Sequence, residues 1–117
     1  MNTERFLPYG RQTIDQADIN SVVKVFDSDF LTQGPRIGDF EKAFSEYVGA
    51  KYALACSNGT AALHLCCQAL GLSSGDKLVT SPVTFLSSAN CAQFVNADTL
   101  FVDIDSDTVC LSPDKLD

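Results

Sequence analysis

Seven residues, SNGTAAL (Ser57 to Leu63), join a short apolar run, Tyr52, Ala53, Leu54, Ala55 and Cys56, to a stretch of helical character. A small-residue turn where a strand becomes a helix suits anion binding. The first N–H groups of the helix lack intrahelical acceptors, the dipole puts its positive end there, and a glycine lets an anion come close to the main chain. Gly59 is that glycine, Thr60 adds a hydroxyl donor, and Asn58 stands beside them. The chain contains no GxxxxGK[ST] loop, and Gly59 has no glycine two or five positions away, so the turns that hold nucleoside triphosphates and dinucleotides are disfavoured. From local sequence alone, an ordinary N-capped strand-to-helix turn is the competing reading.

Other residues of chemical type read more plainly. His64 lies four residues after Thr60 on the same helical face, with no second ligand or nucleophile near it in sequence, and is expected to pack. Cys56 directly precedes the turn and reads as a buried strand thiol. Asp103 and Asp105 share a strand face and so resemble paired carboxylates, but Ser106 and Asp107 follow them, which favours a solvated turn.

The elements that must position these residues follow from periodicity. Thr13 and Gln16 form a capping-box pattern, and Ile14, Val22, Val23, Val25 and Phe26 supply an apolar stripe, predicting a helix from about Asp15 to Ser28. A loop, Phe30 to Gly34, leads to a second stripe, Ile37, Phe40, Ala43, Phe44, Tyr47 and Val48, closed by Gly49. Strand and helix then alternate: strand Lys51 to Cys56, helix Gly59 to Leu70 closed by Gly71, strand Lys77 to Ser81, helix Phe85 to Val95 and strand Thr99 to Ile104. Such alternation implies α/β architecture with parallel strands, whose ligands gather beyond the carboxyl ends, where Ser57 to Thr60 and Pro82 to Phe85 fall. Ser112, Pro113 and the acidic residues after them announce a further helix that stops within one turn, so the chain is expected to be a fragment.

Composition bounds the partners. The 117 residues are 45% hydrophobic and 20% charged, enough for a single globular domain. Eight Lys and Arg against fifteen Asp and Glu give a net charge of −7 with no basic cluster, which argues against nucleic acid or an anionic membrane as partner. Five cysteines, Cys56, Cys66, Cys67, Cys91 and Cys110, show no metal-ligand spacing and read as reduced, buried thiols of a cytoplasmic protein. No signal peptide or membrane-length apolar run is visible.

Longer words carry a resemblance. LTQGP (Leu31 to Pro35), Phe40-Glu41, KYALACSNGTAALHL (Lys51 to Leu65), ALGLSSGD (Ala69 to Asp76), TSPVTFLSSAN (Thr80 to Asn90) and FVDID (Phe101 to Asp105) stand in order and spacing. Together they resemble the start of the DegT/StrS-type sugar aminotransferases, across nearly the whole chain. The resemblance implies the N-terminal segment of the fold-type-I large domain, two helices followed by βαβαβ and truncated after it. Residues 1–34 would form a helix and substrate-side loop, and 35–117 a partial cofactor domain. It implies pyridoxal 5′-phosphate (PLP) as cofactor, a nucleotide-linked keto-sugar and glutamate as substrates, and a homodimer. LTQGP with TSPVTF and SSANCA resembles most the pseudaminic acid pathway enzymes that aminate C4 of a UDP-linked 4-keto-6-deoxy-N-acetylhexosamine.

Position by position, the resemblance places Gly59 and Thr60 on the cofactor phosphate, with Asn58 where serine is common. It sets Phe85 against the pyridine ring, and Thr32 and Gln33 in a loop near substrate. It also implies that the Schiff-base lysine and the aspartate of the ring nitrogen lie downstream. The five lysines, Lys24, Lys42, Lys51, Lys77 and Lys115, match neither position, so the chain alone is expected to be inactive. Two other readings stand beside this one: a non-catalytic truncated product able at most to associate with intact subunits, and a small flavodoxin-like binding domain. If the isolated chain is made, its strand Lys51 to Cys56 lacks neighbours and the product is expected to aggregate or stay partly molten.

Overall fold

A computed structural model describes residues 10–116. They divide into two units, one ending at Ala55 and one beginning at Cys56.

The first unit is helical. α1 spans Gln16–Phe26 and α2 spans Pro35–Val48. The capping box of α1 uses Asp15 and Asp18 rather than the expected Thr13 and Gln16. The Asp15 carboxylate accepts the N–H groups of Ala17 and Asp18 at 2.8 and 3.0 Å, and the Asp18 carboxylate accepts that of Asp15 at 3.0 Å. A carboxylate beats a threonine hydroxyl here because it accepts two amides at once and sits at the positive end of the dipole. Pro35 opens α2, and Gly49 closes it at φ 68°, where only a residue without Cβ sits at no cost.

Segment Lys51 to Cys56, expected as a strand, has no ladder partner among the described residues, so no strand forms there. One bond ties Ala55 within the first unit: Glu41 Oε1 accepts its N–H at 2.8 Å.

The second unit is α/β. α3 (Gly59–Ala69) ends in a left-handed Gly71 at φ 74°, and β1 (Lys77–Thr80), α4 (Ser87–Gln93) and β2 (Asp98–Phe101) follow. β1 and β2 pair in parallel, from Lys77 opposite Asp98 to Thr80 opposite Phe101, with α4 as the crossover. α4 packs on α3 and on both strands, and it buries Ser87, Ala89, Cys91 and Ala92. α4 is shorter than the expected Phe85 to Val95, because Phe85 and Leu86 belong to the loop that enters it. The announced last helix is a 3-10 turn, Pro113–Lys115.

The thiols divide. Cys67 and Cys91 are buried, but Cys56, Cys66 and Cys110 are exposed, contrary to the expectation of buried cysteines throughout. Burial, then the neighbouring Cys91, pushes the Cys67 thiol above its ordinary pKa, so it stays protonated and inert.

Candidate functional site

At the start of α3, Asn58 is the N-cap in extended conformation. Its Oδ1 accepts the N–H of Ala61 at 2.9 Å, and its carbonyl accepts that of Ala62 at 3.1 Å. Those two bonds satisfy the deeper amides of the first turn. Among the described residues, the N–H groups of Gly59 and Thr60 have no acceptor. A Cβ built on Gly59 would meet nothing within 4 Å, so no packing within the described chain calls for a glycine there. Two amides without an acceptor at a helix N-terminus, with open space at the Gly59 Cβ position, fit an anion such as a phosphate group.

The second part of the site lies where the strands end. After β1 the loop Ser81 to Leu86 is pinned by Ser81 Oγ, which accepts the N–H of Val83 at 3.0 Å, and by the Phe85 carbonyl, which accepts that of Ser88 at 2.9 Å. Pro82, Thr84, Phe85, Leu86, Ala89 and Phe101 line a cleft of about 230 Å³ beyond the carboxyl ends of β1 and β2. Phe85 is 75% exposed. A large aromatic presented at a cleft rather than in the core is suited to a flat ligand face.

One hydrogen bond joins the two parts. The hydroxyls of Thr60 and Ser87 lie 2.6 Å apart, across 27 residues, and Ser87 is 6% exposed. Sequence reasoning missed Ser87. Ser87 and Ser88 are adjacent serines in one motif, and only the packing of α4 decides which is buried.

The remaining candidates fall as follows. Thr32 and Gln33 are exposed in the bend between α1 and α2. Gln33 holds φ 54°, and a Cβ on Gly34 would come within 2.6 Å of Phe30 Cβ, so the geometry of this loop depends on that glycine. The loop belongs to the first unit, and Asn58, Gly59, Thr60 and Phe85 belong to the second.

His64 packs its ring 5.3 Å from that of Phe94, and its buried Nε2 has no partner among the described residues. Asp103 and Asp105 are not a paired acid and base. Asp103 accepts Lys115 Nζ at 3.1 Å, and Asp105 accepts the N–H groups of Asp107 and Thr108 in a turn. Lys77 opens β1 at the end away from the cleft, and Lys115 is held by Asp103 and the Ile104 carbonyl. Among the described residues no cluster could hold a metal ion, and no helix is long and apolar enough to cross a membrane.

Known proteins resemble this chain over most of its length. The DegT/DnrJ/EryC1/StrS aminotransferase family matches residues 12–117. Spore coat polysaccharide biosynthesis protein SpsC of Bacillus subtilis (strain 168) is 42% identical over 112 residues, which are 96% of this chain and 29% of SpsC. Spr1654 from Streptococcus pneumoniae, assigned as a sugar aminotransferase and solved in its PLP form, is similar at TM-score 0.86 and 29% identity. The match covers 94% of this chain and 28% of that one. A 3-amino-5-hydroxybenzoic acid synthase is similar at TM-score 0.80 and 34% identity, over 88% of this chain and 27% of the synthase. The chain thus spans under a third of the length of the proteins it matches.

Proposed function

The chain belongs to the DegT/DnrJ/EryC1/StrS aminotransferase family, and on that premise we propose that it forms the PLP phosphate and ring contacts of a nucleotide-sugar aminotransferase. Its α/β arrangement corresponds to the N-terminal segment of the fold-type-I large domain. The carrying observation is the pair of outward amides at Gly59 and Thr60, held by the Thr60–Ser87 bond at the unit that also presents Phe85. PLP is the cofactor of this reading, and Spr1654, solved in PLP and PMP forms, supports it.

When bound, the cofactor supplies an electron sink for the carbon that gains or loses the amino group. The chain's own residues bind and orient it. The amides of Gly59 and Thr60 and the Thr60 hydroxyl hold the phosphate, while Asn58 holds the first turn of the helix so that those amides stay aimed outward. Phe85 restrains the ring plane from one side, and the apolar cleft beside it keeps water from that face. Thr32 and Gln33 stand on the substrate side. The Schiff-base lysine comes from sequence outside this chain.

We assign glutamate as amino donor and a UDP-linked keto-sugar as acceptor. The pseudaminic acid reading rests on LTQGP, TSPVTF and SSANCA, while the name of SpsC favours polysaccharide biosynthesis more broadly. A homodimer in the cytoplasm completes the reading.

The test is PLP titration of the product of the complete reading frame, followed by absorbance. Wild type binds and becomes coloured. Gly59→Ala, whose Cβ meets nothing within 4 Å in the described chain, weakens binding about tenfold or more by standing where the phosphate approaches. A wild-type protein that stays colourless ends the proposal.

A further inference from the structure

We propose that Ser87 is a positioning residue that turns the Thr60 hydroxyl into a donor toward the bound anion, an inference that rests on the phosphate reading above. Ser87 is 6% exposed, and among the described residues its hydroxyl has one partner, Thr60 Oγ1 at 2.6 Å. Each hydroxyl carries one proton and two lone pairs, so the bond has two arrangements. In one, Thr60 donates to Ser87 and presents lone pairs to whatever sits in front of the helix. In the other, Ser87 donates to Thr60, and the Thr60 proton points outward.

An anion in front of Gly59 and Thr60 selects the second arrangement. The Thr60 proton then joins the two amides as a third donor, and acceptance from Ser87 polarises it further. Without Ser87, the Thr60 side chain loses the contact that fixes its rotamer, and its proton is no longer aimed. The same bond has a second effect. Ser87 lies two residues after Phe85 on the same entry into α4, so the bond also sets the span between the anion turn and the aromatic face.

The experiment uses the product of the complete reading frame as wild type, Ser87→Ala, Thr60→Ala, the double variant and Ser87→Cys. Each is measured for PLP dissociation constant, for the 31P shift of the bound phosphate, and for the thermal midpoint of the cofactor-free protein. Ser87→Ala weakens PLP about tenfold and moves the 31P signal. The double variant binds no more weakly than Thr60→Ala, because the two hydroxyls act as one unit. Ser87→Cys, with a weaker donor of similar shape, falls between wild type and Ser87→Ala, and it carries the comparison if Ser87→Ala does not fold.

Additive losses in the double variant overturn the inference, as does a Ser87 variant whose PLP affinity follows only its cofactor-free thermal midpoint. An unchanged 31P signal in Ser87→Ala overturns it too. Wild type that binds no PLP removes the functional reading itself, a result separate from any of these.

Discussion

Asp105 accepts three local hydrogen bonds on one carboxylate oxygen. Its Oδ1 accepts the N–H of Thr108 at 2.9 Å, the Thr108 hydroxyl at 3.0 Å and the N–H of Asp107 at 3.0 Å. Bonds from Thr108, backbone first and then side chain, with the Asp107 amide after them, hold its pKa below the ordinary carboxylate value. A lowered folded pKa means that the turn is supported above the ordinary carboxylate range and loses that support as pH falls through the folded value. A carboxyl 13C titration of Asp105 in the complete protein should therefore give a midpoint below that of an unfolded reference peptide. A midpoint at or above the reference contradicts the turn geometry. Residues of this kind were legible in sequence: Asp105, Ser106 and Asp107 signal a turn, because turn chemistry depends on neighbours a few positions away. Ser87 was not legible, since its partner lies 27 residues off and the choice between two adjacent serines belongs to tertiary packing.

The helices α1, α2 and α3 were readable for the same reason, their stripes and the glycine stops of α2 and α3 being local, although Asp15 displaced Thr13 at the first cap. The expected strand Lys51 to Cys56 has the right residues and no ladder. A strand exists only with a neighbour, and among the described residues the one ladder is that between β1 and β2. The turn between Asp105 and Cys110, closed by the Ile104–Leu111 bridge, contains an unusual choice: Val109 holds φ 58°. A β-branched side chain in the left-handed region is strained, and Val109 is 55% exposed, so little packing compensates. Val109→Gly in the complete protein should raise unfolding free energy by about 1 kcal/mol in denaturant titration. Destabilisation would show that the valine side chain has a contact outside the described residues.

At the scale of the whole molecule, the α/β class was legible from the alternation of periods, but the size of the core was not. The buried apolar set in the second unit is Cys67, Ala89, Cys91, Ala92, Ala97 and Val102, mostly small side chains, whereas Phe101, Leu86 and Phe94 are exposed. Parallel sheets are found with both faces covered, and a pair of four-residue strands leaves two open edges. The isolated 117-residue chain is therefore expected to bind ANS, to aggregate on heating and to show no cooperative transition in circular dichroism. A sharp transition with dispersed amide resonances would overturn this.

The unpaired amide nitrogen of Gly59 also stands next in sequence to the Asn58 carboxamide. That nitrogen can attack Asn58 Cγ, expelling ammonia and closing a succinimide that water reopens to aspartate or isoaspartate. The capping bond to Ala61 restrains the carboxamide, and an anion seated on the amide withholds the nucleophile. The protein stored without cofactor should therefore age chemically faster at Asn58 than the loaded form, and peptide mass mapping over time would read the difference. Occupancy of the turn would thus govern how long the molecule keeps its sequence as well as what it binds.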